Sequence, residues 1–305
     1  MELVNQFSPH KQGNKFNYLI LAILAVMYAP VLWHWYDGWL NKSIGIEHEY
    51  FSHGLIGIPF ASYLVWLKRK PWQKLSYQFN YLGLFVVALA GVFFLTGVSE
   101  FVNFSFTLMI IGLTYFLKGK QGLKLFWFPL LLIILAVPNS IPYLITPYTL
   151  WLQKIIAGIS GFILFHLGFN VTVNGIYVAV NGRLVEVAPY CAGLKMLFTT
   201  LYVSLILLYW RDLLNQRPKP FILIIMAVIT SVMGNIIRNT ILAFFHGAGY
   251  DDLFTWFHDS WGGDVYSALT LGVIYLWVLW LETWQLTPRE NNHQESEVEE
   301  FNFKF

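Results

Sequence analysis

The chain has 305 residues, of which 57% are hydrophobic, 18% aromatic and only 12% charged. This composition is too apolar for an ordinary soluble domain and predicts a membrane protein. The formal net charge is +2 and no basic run is interleaved with aromatic residues, which argues against nucleic-acid binding. A single cysteine excludes an internal disulfide and a CxxC-type metal or redox motif, and no other pattern indicates a metal or an organic cofactor.

Apolar runs long enough to cross a bilayer recur along the chain. They lie near residues 16–36, 50–67, 79–99, 101–117, 125–141, 189–210, 220–241 and 263–284. The segment 148–168 is also apolar, but it contains a lysine and three glycines and follows three prolines, so we predict an interfacial or re-entrant helix there. The predicted fold is an all-α polytopic membrane protein with about eight transmembrane helices, forming one integral membrane domain over residues 1–284.

The distribution of charge between these runs predicts the topology, because short cytoplasmic loops collect Lys and Arg. Basic loops follow the second, fourth and sixth runs, at 68–74, 118–124 and 211–219, and the N-terminal segment also carries lysines. The alternate loops are poor in basic residues. The pattern predicts that both termini lie in the cytoplasm. The polar, acidic-rich segment 285–305 is predicted to be a disordered cytoplasmic tail.

The segment at about 170–188 alternates valine with polar residues around two Asn-Gly pairs, Asn174-Gly175 and Asn181-Gly182. Asn-Gly between alternating apolar residues is a strong hairpin signal. We therefore predict a small three-stranded β-meander on the extracytoplasmic side. It either caps the helix bundle or binds an extended peptide as an added strand, since it leads directly to the cysteine.

The single cysteine, Cys191, lies in VEVAPYCAGLK at the start of the sixth apolar run. A lone cysteine in an apolar protein is often only a small buried hydrophobic residue. Here it follows Pro189 at a predicted helix N-terminus, which favours the thiolate, and Lys195 lies one turn later on the same face. These conditions make Cys191 a candidate nucleophile.

Arg238 interrupts the seventh apolar run near its outer end. A guanidinium within a membrane span is costly enough to need a partner or a wet cavity, unless it snorkels to the interface. Asn235 and Asn239 lie close by and add further polar groups to this turn. Arg238 is therefore a candidate for stabilising an oxyanion or holding a substrate carboxylate.

His258 lies in FHDSWGGD, a predicted loop before the last run, directly beside Asp259. A loop histidine is usually only a surface residue. On the same side as Cys191 and Arg238, however, it can fill the role of the general acid that donates a proton to a leaving amine. His246, in FFHGAGY, is a rival for that role because it lies towards the same face.

These residues and their surroundings resemble the exosortase/archaeosortase family. The similar segments are EYFSHGLIGIPFASYLVWLKRK (49–70), FPLLLIILAVPNSIPYLITPYTLWLQ (128–153), LVEVAPYCAGLK (184–195), GNIIRNTILAFF (234–245) and FHDSWGG (257–263). Many members read Ala-Cys-Ser-Gly-Leu, whereas Ala192 follows the cysteine here, so a detail that depends on that serine cannot apply. The Pro-Tyr-Cys-Ala-Gly form resembles the cyanobacterial branch, the cyanoexosortases.

The resemblance implies that Cys191 is the nucleophile and that Arg238 and His258 are essential. It also implies Glu186 as a supporting residue, and His53 lies in the Ser-His-Gly sequence that the family tends to show. The implied activity is that of a cysteine protease or transpeptidase without a cofactor, embedded in the bacterial inner membrane with its active site on the extracytoplasmic side. Its partners would be the lipid bilayer and exported proteins with a C-terminal PEP-CTERM-type signal: a Pro-Glu-Pro-like motif, a transmembrane helix and a basic end.

Two other classes of function stay open at this point. A polytopic transporter or lipid-linked glycan flippase would use Arg238 and Lys195 to bind an anionic substrate. A glycan ligase or polymerase linked to exopolysaccharide export would use extracytoplasmic Arg and His residues on a diphosphate leaving group. Both alternatives predict that Cys191 tolerates substitution, whereas a cysteine enzyme does not.

Overall fold

A computed structural model describes residues 9–40, 50–189 and 193–284, with the side chains of 9–18 and 21 excepted. The chain is mostly helical, with one small sheet. The helices are α1 (Pro9–Leu40), α2 (Gly54–Leu67), α3 (Arg69–Lys74), α4 (Tyr81–Leu95), α5 (Ser99–Ala136), α6 (Ile141–Ile145), α7 (Leu150–His166), α8 (Leu194–Trp210), α9 (Lys219–Gly247), α10 (Asp251–Asp259) and α11 (Trp261–Thr283). The strands are β1 (Val171–Asn174), β2 (Tyr177–Val180) and β3 (Arg183–Glu186).

Four helical stretches in the described part of the chain are long and apolar enough to cross a membrane. They are Ser99–Ala136, Ile141–His166, Lys219–Gly247 and Trp261–Thr283. Helices α2, α4 and α8 are apolar but shorter. The chain is therefore a membrane protein, but the prediction of eight spans is not confirmed. The stretch Ile141–His166 includes most of the predicted interfacial segment, whose position relative to the bilayer stays a prediction.

Helix α5 contains the predicted span 101–117 and most of the predicted span 125–141 in one run of 38 residues. Its backbone leaves helical geometry at Gly119, in the basic loop predicted between those spans, and again at Phe126, at the start of the second span. Gly119 has φ +57°, and a Cβ there would lie 2.0 Å from the side-chain oxygen of Gln78, so only glycine fits without strain. The sequence predicted two separate spans here, whereas the structure joins them in one kinked helix.

Contacts at one end of the bundle bring the predicted basic loops together. Lys68 donates a hydrogen bond to the carbonyl of Leu125 (3.0 Å), and its Nζ lies 5.5 Å from the ring centroid of Tyr209 at the end of α8. Arg211, directly after α8, forms an ion pair with Glu282 near the end of α11. A common basic end is what the positive-inside pattern predicts.

The predicted three-stranded antiparallel meander is confirmed, with strand order β1-β2-β3. Asn181 and Gly182 form its second turn, and both have positive φ (52° and 83°), as a type I′ turn requires. The first turn is shifted by one residue from the Asn-Gly pair. Gly175 (φ 63°) opens a two-residue loop, whereas Asn174 already pairs with Tyr177 in the ladder.

The sheet packs on α7 and α9 through its inner face. Val178 and Val180 are buried there. A Cβ on Gly247, the last residue of α9, would lie 2.4 Å from the Cβ of Val180, and one on Gly161 of α7 would lie 2.3 Å from Val173. These close approaches hold the sheet over the C-terminal end of α9.

Candidate active site

Helix α9 carries Arg238 and is the element around which the candidate site is built. It contacts α7, α8, α10, α11 and the strands β2 and β3. The helix runs on to Gly247, so Arg238 lies nine residues before its end, about 13.5 Å along the helix axis. Arg238 lies near the outer end of the apolar run 220–241, as the sequence indicates, but the helix continues six residues beyond that run. The last turns stay helical because Ala243 and Gly247 are buried against the sheet and its surroundings.

The guanidinium of Arg238 lies beside the first turns of α11. A Cβ on Gly263 would lie 3.8 Å from Nη2 of Arg238. Tyr266, nearly one turn later in α11, donates a hydrogen bond (2.6 Å) to the carbonyl of Gly234, one turn before the arginine. Arg238 is half-buried. Its place between two helices argues against a role as a snorkelling anchor, because such an anchor extends its head group to the interface.

The two asparagines near Arg238 are almost completely buried, at 1% exposure for Asn235 and 5% for Asn239. Asn239 donates a hydrogen bond (2.9 Å) to the carbonyl of Asn235. Gly193, immediately before α8, packs on the side chain of Asn235, and a Cβ on this glycine would lie 2.6 Å from Cγ of Asn235. The polar turn of α9 is therefore in direct contact with the start of α8.

His258 lies on the last turn of α10, not in a loop. The helix forms because two aspartates in its first turn favour the N-terminal end of the helix dipole. Nδ1 of His258 lies 2.6 Å from a carboxylate oxygen of Asp259, and its ring stacks on Phe254 with 5.4 Å between centroids. A carboxylate at Nδ1 favours the tautomer with the proton on that nitrogen, so proton exchange with a substrate falls to Nε2. The side chain is 25% exposed.

Arg238 and the backbone of His258 flank the same glycine, Gly263. A Cβ on Gly263 would lie 4.0 Å from the carbonyl oxygen of His258 and 2.9 Å from that of Phe257, as well as 3.8 Å from Nη2 of Arg238. Because glycine has no side chain, α11 can lie close to both α10 and α9 at this position. The guanidinium of Arg238 and the backbone of His258, 20 positions apart in the sequence, therefore both lie close to Gly263.

His246, the rival histidine, lies in the last turn of α9. Its Nδ1 is 3.5 Å from a carboxylate oxygen of Asp251, and its ring is 5.4 Å from that of Phe254. Asp251 also accepts a hydrogen bond of 2.7 Å from Arg183 of β3. These contacts place His246 at the junction of α9, α10 and the sheet, which accounts for it without a catalytic role.

Cys191 and its immediate neighbours lie outside the described residues. The chain on both sides is described. Upstream, Ala188 belongs to the buried cluster that also contains Ile236 and Ala243 of α9. Downstream, Gly193 lies against the side chain of Asn235. The downstream flank of the candidate nucleophile therefore lies within one turn of Arg238 along α9, and the upstream flank packs in a cluster to which α9 contributes.

The other predicted supporting residues differ in their surroundings. Glu186 is exposed at the end of β3, opposite Tyr177, and Lys195 is half-buried in the first turn of α8. His53 is 4% exposed. Its Nε2 lies 3.0 Å from the carbonyl oxygen of Leu135 and its ring is 4.4 Å from that of Tyr202, so it joins the start of α2 to α5 and α8. Packing alone explains the position of His53.

Three residues of this region, Gly193, Gly263 and Tyr266, were not predicted from the sequence. A glycine two residues after the cysteine at a helix start was the only local signal for Gly193. The closeness of Gly263 and Tyr266 to Arg238 has no local signal, because it depends on how α9 and α11 pack. Within the described part of the chain, no group of three or more His, Cys, Asp or Glu side chains is placed to hold a metal ion.

The position of Gly193 leads to a testable expectation. Gly193 has a φ of +85°, and the substitution Gly193→Ala would also add a Cβ only 2.6 Å from Cγ of Asn235. We expect a loss of roughly 1–2 kcal/mol in stability, because an L-residue is strained in this conformation, together with reduced activity from displacement of the Cys191 segment. Thermal unfolding and activity of the purified protein measure both effects.

Gly272→Ala is the matched control, because a Cβ on this helical glycine of α11 would meet nothing within 4 Å. This control should unfold at the same temperature as the original chain or slightly higher, since alanine favours a helix. Equal unfolding temperatures and equal activities of the two variants would mean that the contact between Gly193 and Asn235 affects neither stability nor activity.

A family model described as Transmembrane exosortase matches residues 35–275. The match begins in α1 and ends in α11, so it includes the β-meander and every helix that carries a candidate site residue. No curated protein and no solved structure matches the chain. Because the matched range covers 241 of the 305 residues (275 − 35 + 1 = 241), the chain belongs to the transmembrane exosortase family.

Proposed function

We propose that this member of the exosortase family is a membrane-embedded cysteine protease or transpeptidase that cleaves the C-terminal sorting signal of exported proteins. One observation carries the proposal: the turn of α9 that holds Asn235 and Arg238 lies against Gly193, two residues after Cys191, and against Gly263, which adjoins the backbone of His258. The three candidate residues come from distant parts of the sequence. They must lie close together in the fold to act in one catalytic site.

Chain connectivity limits how far Cys191 can lie from this turn. Consecutive Cα atoms are about 3.8 Å apart, so the Cα of Cys191 is within about 7.6 Å of the Cα of Gly193. Gly193 contacts Asn235, which precedes Arg238 by three residues and so lies on the same face of α9. Covalent geometry therefore supports a place for the thiol near Arg238.

The proposed reaction assigns one step to each residue. The Cys191 thiolate attacks the scissile carbonyl carbon, and Arg238 stabilises the negative charge that develops on the carbonyl oxygen. His258 donates its Nε2 proton to the departing amine as the C–N bond breaks, and Asp259 supports the imidazolium through Nδ1. An acceptor amine or water then attacks the thioester and gives a proton to Nε2 of His258, and the C–S bond breaks to restore the Cys191 thiolate and the protonated histidine.

The surroundings of Arg238 support the role of an oxyanion partner. The side chain is half-buried between α9 and α11, where a charge is less screened than in water. A donor held in place before the reaction costs no reorganisation when the oxyanion forms. The hydrogen bond from Tyr266 to Gly234 fastens α11 to α9 at this level and so keeps the guanidinium in position.

The two ends of the bundle suit a substrate with a C-terminal membrane anchor. The basic residues Lys68 and Arg211 lie at one end, and Gly193, Arg238 and Gly263 lie towards the other. With the basic end in the cytoplasm of a bacterial inner-membrane protein, cleavage occurs on the extracytoplasmic side. The substrate is an exported protein that carries a Pro-Glu-Pro-like motif, a transmembrane helix and a basic end.

A thiol-directed reagent tests this function, because the chain contains a single cysteine. We expect a membrane-impermeant maleimide, added to the extracytoplasmic side of cells or oriented vesicles, to label Cys191 and to abolish precursor cleavage in proportion to labelling. The Cys191→Ala chain, which cannot be labelled, shows that the reagent acts at this residue. Complete labelling with undiminished function would favour the flippase or glycan ligase instead.

A further inference from the structure

Strand β3 is an edge of the sheet, since the strand order is β1-β2-β3. Leu184 is 60% exposed, and Glu186 is exposed as well. The side chains of Arg183 and Val185 lie on the other face of the strand. These residues pair with the buried Val180 and Val178, so that face points towards α9. Among the residues that the structure describes, no strand pairs with the outer edge of β3, and the side chains at positions 184 and 186 are exposed.

The ladder pattern shows which main-chain groups this edge leaves unpaired. The amide of Val187 donates to the carbonyl of Ile176 (2.9 Å), so residues 176 and 187 form a hydrogen-bonded pair. Such pairs alternate along an antiparallel ladder, so Val185 and Arg183 also bond to β2. The N–H and C=O groups of Leu184 and Glu186 consequently point outwards, where they can receive another strand.

The direction of β3 connects this edge to the candidate active site. The strand ends at Glu186, and the chain then passes through Val187 and Ala188, both buried in the cluster with Ile236, before it reaches Cys191. An extended peptide on the β3 edge would thus run alongside the chain that leads to the proposed nucleophile. This continuity indicates the substrate itself, rather than an unrelated partner, as the occupant of the edge.

We propose that the segment of the substrate before its scissile bond binds as a fourth strand, parallel to β3; this inference rests on the proposed function. The parallel direction follows because β3 runs towards the apolar helix α8, and the substrate chain runs towards its own transmembrane helix. Main-chain hydrogen bonds to Leu184 and Glu186 supply the affinity, as in other peptide complexes formed by strand addition.

Strand addition also selects among substrate sequences. Only alternate residues of the added strand turn their N–H and C=O groups to β3, and the intervening residues need no N–H group. Prolines two positions apart can therefore occupy the outward-facing positions, as proline does at sheet edges, while the residue between them bonds to β3. The edge thus accepts a Pro-X-Pro segment in one register.

Residue-resolved hydrogen exchange tests the proposal without catalysis. The probe is a precursor that ends in a Pro-Glu-Pro motif, an apolar helix and a basic end, added to the full-length Cys191→Ala chain in lipid nanodiscs. With the precursor bound, we expect the exchange rates of the Leu184 and Glu186 amides to fall by about tenfold or more, because each amide gains a strand hydrogen bond. The amide of Val185, already in the ladder, and that of Val171, on the other edge of the sheet, should not change.

Unchanged exchange at Leu184 and Glu186 with saturating precursor would overturn the proposal. Protection that increases with protein concentration in the absence of precursor would also overturn it, because a second copy of the chain would then occupy the edge. Failure of the original chain to cleave the precursor counts against the proposed function alone, since the exchange experiment with the Cys191→Ala chain still decides whether the edge binds it.

Variants of Leu184 separate main-chain pairing from side-chain contact. Leu184→Pro removes an outward N–H but no bond of the β2–β3 ladder, and we expect KM to rise about 3- to 10-fold with kcat and the Cys191 alkylation rate unchanged. Leu184→Ala keeps the N–H and should have a KM near that of the original chain. Val171→Pro also removes an outward N–H, on the opposite edge, and so controls for proline in the sheet; unlike Leu184, Val171 packs on the core beside Gly161. Equal KM values for Leu184→Pro and Leu184→Ala would show that no strand is added.

Discussion

The Cys191→Ala chain is expected to leave the precursor uncleaved and membrane-bound. The substitution removes the only group proposed to form the acyl-enzyme intermediate, so the rate should fall on the order of 10⁴-fold or more. Stability should change little, because alanine and cysteine are similar small side chains. Immunoblotting of the precursor in cells, and cleavage by the purified protein in vesicles, measure the effect.

Cys191→Ser is the companion variant for this experiment. The hydroxyl of serine is a weak nucleophile at its ordinary pKa, and no base has been assigned to activate it here, so this variant should also be inactive or nearly so. Thermal unfolding of both variants should match that of the original chain. Normal processing of the precursor by Cys191→Ala would refute the mechanism and would favour a transporter or glycan ligase.

Arg238→Lys is expected to lower kcat by roughly 10²–10³-fold, the usual cost of losing one donor to an oxyanion. Lysine keeps the positive charge but not the planar guanidinium, whose several N–H groups can bond to the oxyanion and remain bonded to the protein. KM should change little, because the interaction is made in the transition state. Steady-state kinetics of precursor cleavage separate these two parameters.

Arg211→Lys is the matched control, because this arginine lies at the opposite end of the bundle in an ion pair with Glu282. It is exposed, and lysine can keep the pair, so activity and stability should stay near those of the original chain. A rate for Arg238→Lys equal to that for Arg211→Lys would exclude Arg238 from the reaction. A rise in KM alone would instead indicate that Arg238 holds a substrate carboxylate.

The candidate site depends on glycines that let the backbone approach neighbouring groups closely, as well as on its reactive side chains. Gly193 lets the start of α8 lie on Asn235, and Gly263 lets α11 lie beside the carbonyl of Phe257 and the guanidinium of Arg238. Each would carry a Cβ within 3.0 Å of a neighbouring atom if it were alanine. These glycines therefore set the distances between the helices that carry the candidate residues.

Some features followed from the sequence because their causes are local. Apolar runs predicted the helices of a membrane protein, and the Asn-Gly pairs with alternating valines predicted the meander. Both signals lie within one continuous segment of the chain. The motifs around Cys191, Arg238 and His258 were distinctive enough to indicate the exosortase family, to which the chain belongs. The catalytic roles of these three residues and of Glu186, Lys195 and Asp259 stay predictions.

Other features were decided only by the tertiary structure. Helix α9 continues to Gly247 because the sheet packs on its last turns, and His258 lies on a helix that is held between α9 and α11. The contacts of Gly193 with Asn235 and of Gly263 with Arg238 join residues far apart in the chain. No local pattern specifies such contacts, because they depend on how whole helices pack against one another. The sequence by itself determined the membrane character, the meander and the family, because these signals are local or lie in short motifs, whereas packing decided which of the candidate residues lie close together.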